Sequence, residues 1–71
     1  MKKLILNTLK NHYEAKIQLH KTNVEIFLEN PTGVGDHPDV VETVSGEVMA
    51  IAEYEDALQA LNKHFSGIPK I

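Results

Sequence analysis

Four histidines, ten acidic residues and two serines are the side chains with which this chain could do chemistry. A carboxylate-bridged metal pair in a helical bundle needs Glu-x-x-His motifs projecting inward, and no glutamate here is followed by histidine three residues on. His12 and His20 stand eight residues apart, two helical turns, too far to share one ion; His37 and His64 lie elsewhere along the chain. Nucleophilic catalysis has no cysteine to use, and its serines are Ser45 and Ser66. Ser66 follows His64-Phe65 but sits where a helix is expected to end. Gly33-Val34-Gly35 ahead of a helix suggests a phosphate loop, yet it lacks the third glycine, the preceding strand and the lysine. Asp36 and Asp39 would also repel an anion. The expectation is therefore no catalytic residue, no cofactor and no metal.

The composition narrows the classes further. With 71 residues, no cysteine and no tryptophan, the chain is neither a disulfide miniprotein nor a cysteine-ligated zinc module. No run approaches the roughly 18 apolar residues of a membrane span. The N-terminus does not read as a secretory leader, so an intracellular, cytoplasmic protein is expected. At 42% hydrophobic it is too apolar for disorder. One core of this size rarely supplies more than roughly 3–5 kcal/mol, and self-association is the usual remedy.

Positioning elements follow from the punctuation. Asn30-Pro31-Thr32-Gly33-Val34-Gly35-Asp36-His37-Pro38 holds two prolines and two glycines, which neither a helix nor a central strand tolerates. An upstream helix should stop near Glu29. A downstream helix should start between Asp36 and Asp39, with Pro38 in its first turn and Asp36 or His37 as cap. Gly33 and Gly35 suit turn geometry. Ser66-Gly67-Ile68-Pro69 predicts a glycine C-cap at Gly67. Between these signals Val41, Val44, Val48, Ile51, Leu58, Leu61 and Phe65 recur at three and four. In the first half, Leu6, Leu9, Tyr13, Ile17, His20, Val24 and Phe27 do the same. A β-hairpin over 15–28 is the competing reading, since Ala15, Ile17, Leu19 and Val24, Ile26, Leu28 alternate. Its turn, His20–Asn23, has no glycine, which disfavours it. The fold expected is all-α: one domain, residues 1–71, of two long antiparallel helices at about 2–29 and 38–65. Residues 30–37 form the loop and 66–71 the tail, and the hairpin associates into a bundle.

Charge separates along the chain. Residues 1–24 are net +4 and residues 25–62 net -9. In an antiparallel hairpin, facing residue numbers should total about 68. Lys21 then lies near Glu47, Lys16 near Glu53, and Lys10 near Glu55 or Asp56. His20 with Glu47, and Tyr13 with Glu55, are expected as polar pairs that fix the register. Lys3, Lys10 and Lys21 share an arc that would suit a nucleic acid, but the acidic second half opposes this and there is no arginine.

Helix one also carries a second apolar stripe, Ala15, Leu19, Thr22 and Ile26, and helix two adds Ala50, Tyr54, Ala57 and Leu61 beside its main stripe. One neighbour covers only one stripe. These eight residues form the expected interface of a homo-oligomer, with a dimer as the favoured form.

The stretch Glu29–Val41, with Ile51-Ala52-Glu53-Tyr54-Glu55-Asp56-Ala57-Leu58, resembles small proteins of unassigned role in tailed bacteriophages of the T4-like and cyanobacterial kinds, in which an Asn-Pro-x-Gly-x-Gly-acid-His loop joins two helices. The resemblance carries no catalytic residue over. It implies this fold and a viral source. Taken with the apolar faces, the expectation is an accessory protein in the host cytoplasm that binds itself and a host or virion protein. The alternative is a small nucleic-acid-associated regulator using the lysine arc.

Overall fold

The structure, a computed structural model, describes residues 1–30 and 39–65. It contains two helices, α1 (Lys2–Glu29) and α2 (Val40–His64), and no strand among the described residues. The fold is the all-α helical hairpin that the spacing predicts. The extended alternative for 15–28 is not adopted: the whole segment is helical, with Ile17, His20, Val24 and Phe27 half-buried at helical spacing.

The helix ends have local causes. α1 closes with the Asn30 amide donating to the Ile26 carbonyl at 3.0 Å. Pro31 follows in the sequence and disfavours a helical conformation at Asn30. α2 is capped by Asp39, whose Oδ1 accepts from the Glu42 amide at 2.9 Å. The cap is therefore neither Asp36 nor His37, and Glu42 adds negative charge to the first turn, where the helix dipole favours it. α2 ends at His64, with the Phe65 amide donating to the Leu61 carbonyl at 3.0 Å. The expectations for Pro31, Gly33, Gly35, Asp36, His37 and Pro38, and for a Gly67 cap, fall outside the described residues. Threonines inside the helices bond back to the carbonyl four residues earlier: Thr8 to Leu4 at 2.8 Å and Thr22 to Gln18 at 2.9 Å. That satisfies hydroxyls that would otherwise compete with the helix.

The register is read from three facing pairs. Leu6 packs with Leu61, the Tyr13 and Tyr54 rings stand 6.3 Å apart, and His20 bonds Glu47. The two numbers of each pair total 67, one less than expected. Each pair is seven residues from the next on both helices, as in a coiled coil. Tyr13 thus meets Tyr54 rather than Glu55.

This seven-residue column also fixes which side of α2 meets α1. Leu61 is only 5% exposed, and Leu6, at 9%, is the other buried core residue among those described. Tyr54, Ala50 and Ala57 are half-buried. Three of the supposed main-stripe residues, Val41, Val48 and Phe65, are exposed. The rotation of α2 therefore differs from expectation: Tyr54 and Leu61 form the hairpin's own seam, with Ala50 and Ala57 at its edge, rather than a spare face.

Gly46 lies in mid-helix on α2 with nothing within 4 Å of where its Cβ would stand. Gly46→Ala is expected to stabilise the protein by roughly 0.5–1 kcal/mol, the helix-propensity difference. An unchanged or lower urea midpoint would show that the glycine answers a contact made outside the single chain.

Candidate functional site: a polar seam and an apolar side

At the middle of the hairpin the seam is polar. His20 Nδ1 lies 3.0 Å from Glu47 Oε1, and Asn23 Nδ2 donates to the same oxygen at 2.6 Å. The side chains of His20 and Glu47 are 19% and 20% exposed. With Nδ1 facing a carboxylate, His20 donates from it either as the neutral Nδ1–H tautomer or as imidazolium. Tyr54 stacks on His20 with ring centroids 5.9 Å apart and planes at 14°. His12 meets Tyr54 edge-on at 6.4 Å. His20, Asn23 and Glu47 come together here because residues 20 and 47 face each other and Asn23 stands one turn from His20.

The His20 bond, and then the Asn23 bond, hold the Glu47 carboxyl below its usual value of 4.5, against the opposing push of partial burial. A depressed folded value means the carboxylate form is the bound one. Its contribution is present above pH 4.5 and is lost as pH falls through the lowered value. The urea midpoint should therefore drop on acidification below pH 4.5, and Glu47→Gln should flatten part of that drop. Equal acid sensitivity in wild type and variant would contradict this role for the pair.

His20–Glu47 is the one contact at ion-pair distance among the described residues, ionic when His20 is protonated. The expected pairings of Lys21, Lys16 and Lys10 with α2 acids do not form, and Glu47 is engaged by His20 and Asn23 instead. No group of three His, Cys, Asp or Glu residues gathers at metal-holding distance among the described residues. No described helix is long and apolar enough to cross a membrane.

The flanks of the seam differ. On a helix, a residue three positions after the central column turns about 60° to one side, and a residue four positions after turns about 40° to the other. Running α2 antiparallel reverses both its direction and the way it faces, so equal offsets on α1 and α2 fall on the same side. The three-offset side carries Leu9, Lys16 and Asn23 from α1 with Thr43, Ala50, Ala57 and His64 from α2. An open groove confirms this side, because Leu9, Ala57 and His64 line it together, over Tyr13 and Leu61. The four-offset side carries Lys10, Ile17 and Val24 with Val44, Ile51 and Leu58, all half-buried. Next to them Leu28, Val41 and Val48 are exposed.

The expected interface residues therefore divide. Ala15, Leu19, Thr22 and Ile26 are exposed on the outer part of α1. Ala50, Tyr54, Ala57 and Leu61 are engaged against α1. The structure does not bring the two sets into one patch. The contiguous apolar side, Ile17, Val24, Val44, Ile51 and Leu58, was missed. Its signal was available, since each of these residues lies four after a residue of the facing column.

Comparison with protein-family models, with curated proteins and with solved structures gives no match, so the tailed-phage reading rests on the resemblance of the loop motif.

Proposed function

We propose that this protein is a non-enzymatic association module, a helical hairpin that binds protein through its apolar side. The observation that carries this reading is the imbalance between seam and side. Among the described residues two are buried in the seam, while Ile17, Val24, Val44, Ile51 and Leu58 stand half-covered in one contiguous row with Leu28, Val41 and Val48 bare beside them. Contiguous apolar patches of this kind mark interfaces. A chain this small does not hold a long rod on so thin a seam without help.

The occupant this reading names first is the protein itself. A host or virion protein on the same apolar side is the further partner this reading allows. The polar groups that could do chemistry support a structural role, because His20, Asn23 and Glu47 satisfy one another within the seam. Sedimentation equilibrium at micromolar concentration tests the proposal. A mass of about 16 kDa, twice the 7.9 kDa chain, is expected for a two-fold dimer. A mass of 7.9 kDa throughout that range would reject self-association.

A further inference from the structure

Resting on that reading, we infer that a second copy covers the Ile17–Val24–Val44–Ile51–Leu58 side, with both loops at the same end and α1 of each hairpin lying on α2 of the other. Three observations lead there: area, the placement of apolar residues, and charge.

The chain exposes 5368 Å², about 1000 Å² more than the roughly 4400 Å² of a compact monomer of its mass. A standard interface buries about 800 Å² per partner, so one contact with a second copy removes that excess. Two helices packed side by side make a single layer, which leaves both sides of the seam open to such a contact.

The apolar residues of this side gather in its loop-proximal half. Ile17, Val24 and Leu28 on α1 stand at the same heights as Val41, Val44, Val48 and Ile51 on α2, given a facing total of 67. A two-fold axis parallel to the helices lays that half on itself. A two-fold axis across the helices slides it toward the half that carries Lys10, Glu14 and Glu55.

Charge selects the same arrangement. Residues 1–24 are net +4 and residues 25–62 net -9, and no lysine finds an acid within the hairpin among the described residues. The parallel axis sets each basic α1 on the acidic α2 of the other copy, whereas the crossing axis sets α1 on α1 and α2 on α2. Lys10 then stands about one turn from Glu55 of the second copy and from Glu14 of its own helix, between two carboxylates.

The geometry makes a distinctive contact. Leu28 and Val41, 69% and 80% exposed in the hairpin, each lie one position past the central column. Across the dimer, Leu28 of one copy meets Val41 of the other, offset by about 3 Å along the axis. The chain has no cysteine, so Leu28→Cys and Val41→Cys report cleanly, and neither change touches the seam. The two variants are mixed, oxidised and resolved by mass.

The mixed disulfide should exceed either homodisulfide by about ten-fold, because cysteines with Cα atoms more than about 7 Å apart do not bridge. Comparable homodisulfides, or no mixed species while sedimentation gives a dimer, would overturn the arrangement and leave self-association standing. A monomer in sedimentation would overturn both.

Discussion

Leu61→Ala is expected to leave the chain largely unfolded at micromolar concentration. Leu61 is the most buried side chain described, packed on Leu6 with Leu9 and Tyr13 beside it. Truncating a buried leucine costs roughly 2–5 kcal/mol, and a core of this size supplies roughly 3–5 kcal/mol in all. Alanine has better helix propensity than leucine, so the isolated helix is not the weak point. The loss falls on the seam at the open end of the hairpin, where no loop holds the helices together. Far-UV circular dichroism should show most of the helical signal gone. Leu4→Ala, at an exposed position two residues from Leu6, should change stability by no more than about 0.5 kcal/mol. A fully helical Leu61→Ala protein would mean that Leu6 and Leu61 are not the anchor.

The second large effect falls on assembly. Ile51 is half-buried at the centre of the apolar side, and in the proposed dimer it points at the two-fold axis. Ile51→Glu would place two carboxylates there without a partner for either. Burying an unpaired charge is costly enough that association should weaken by at least about 100-fold, roughly 2.7 kcal/mol. The substitution leaves the seam intact, so helicity should persist at high concentration. Leu19→Glu is the matched control. Leu19 is also a large apolar residue, but it is exposed on the outer part of α1, beside the side that carries Lys16, Asn23 and Thr43. It should change the sedimentation mass little. If Leu19→Glu dissociates the protein and Ile51→Glu does not, the interface lies on the other side of the seam.

How far the sequence reveals this arrangement differs between the two helices. On α1 the stripe Leu6, Leu9, Tyr13, Ile17, His20, Val24 and Phe27 is the side that meets α2, all of it buried or half-buried, while the second stripe of Ala15, Leu19, Thr22 and Ile26 is exposed. On α2 two stripes overlap. The one richer in valine and isoleucine looks like the seam, yet the seam goes to Glu47, Tyr54 and Leu61 with Ala50 and Ala57 beside them. A simple apolarity rule puts Glu47 outside, and it is inside because His20 and Asn23 supply the hydrogen bonds that its carboxylate needs.

The cross-helix arithmetic, with its total of 68, brought His20 to the neighbourhood of Glu47 but set Tyr13 against Glu55. The total of 67 seen in the structure, repeated at sevens, brings Tyr54 to Tyr13 and Leu61 to Leu6. An error of one residue in the facing total is enough to turn α2 by about 100°. The apolar side is harder to see, because its residues lie four positions after the facing column, inside the stripes that read as the seam; spacing picks them out but does not tell that the hairpin covers them only in part.

The polar trio serves register at some expense of stability. A hydrophobic seam of the same shape would bind more tightly, but it would also permit slippage by one heptad, where leucine and tyrosine layers exchange places. With His20 and Asn23 both committed to Glu47, a slipped pairing leaves these groups without partners.

Association and folding are coupled in this account, and concentration is the variable that exposes the coupling. A hairpin that folds alone has a melting midpoint independent of its concentration, whereas a dimer that completes its core on assembly melts higher as protomer concentration rises. The decisive measurement is thermal unfolding of the wild-type chain followed by circular dichroism over a hundred-fold dilution series. The midpoint is expected to fall steadily with dilution. A midpoint that stays the same at every concentration, with a full helical signal, would show that one copy keeps its Val44–Ile51 side in water and needs no second.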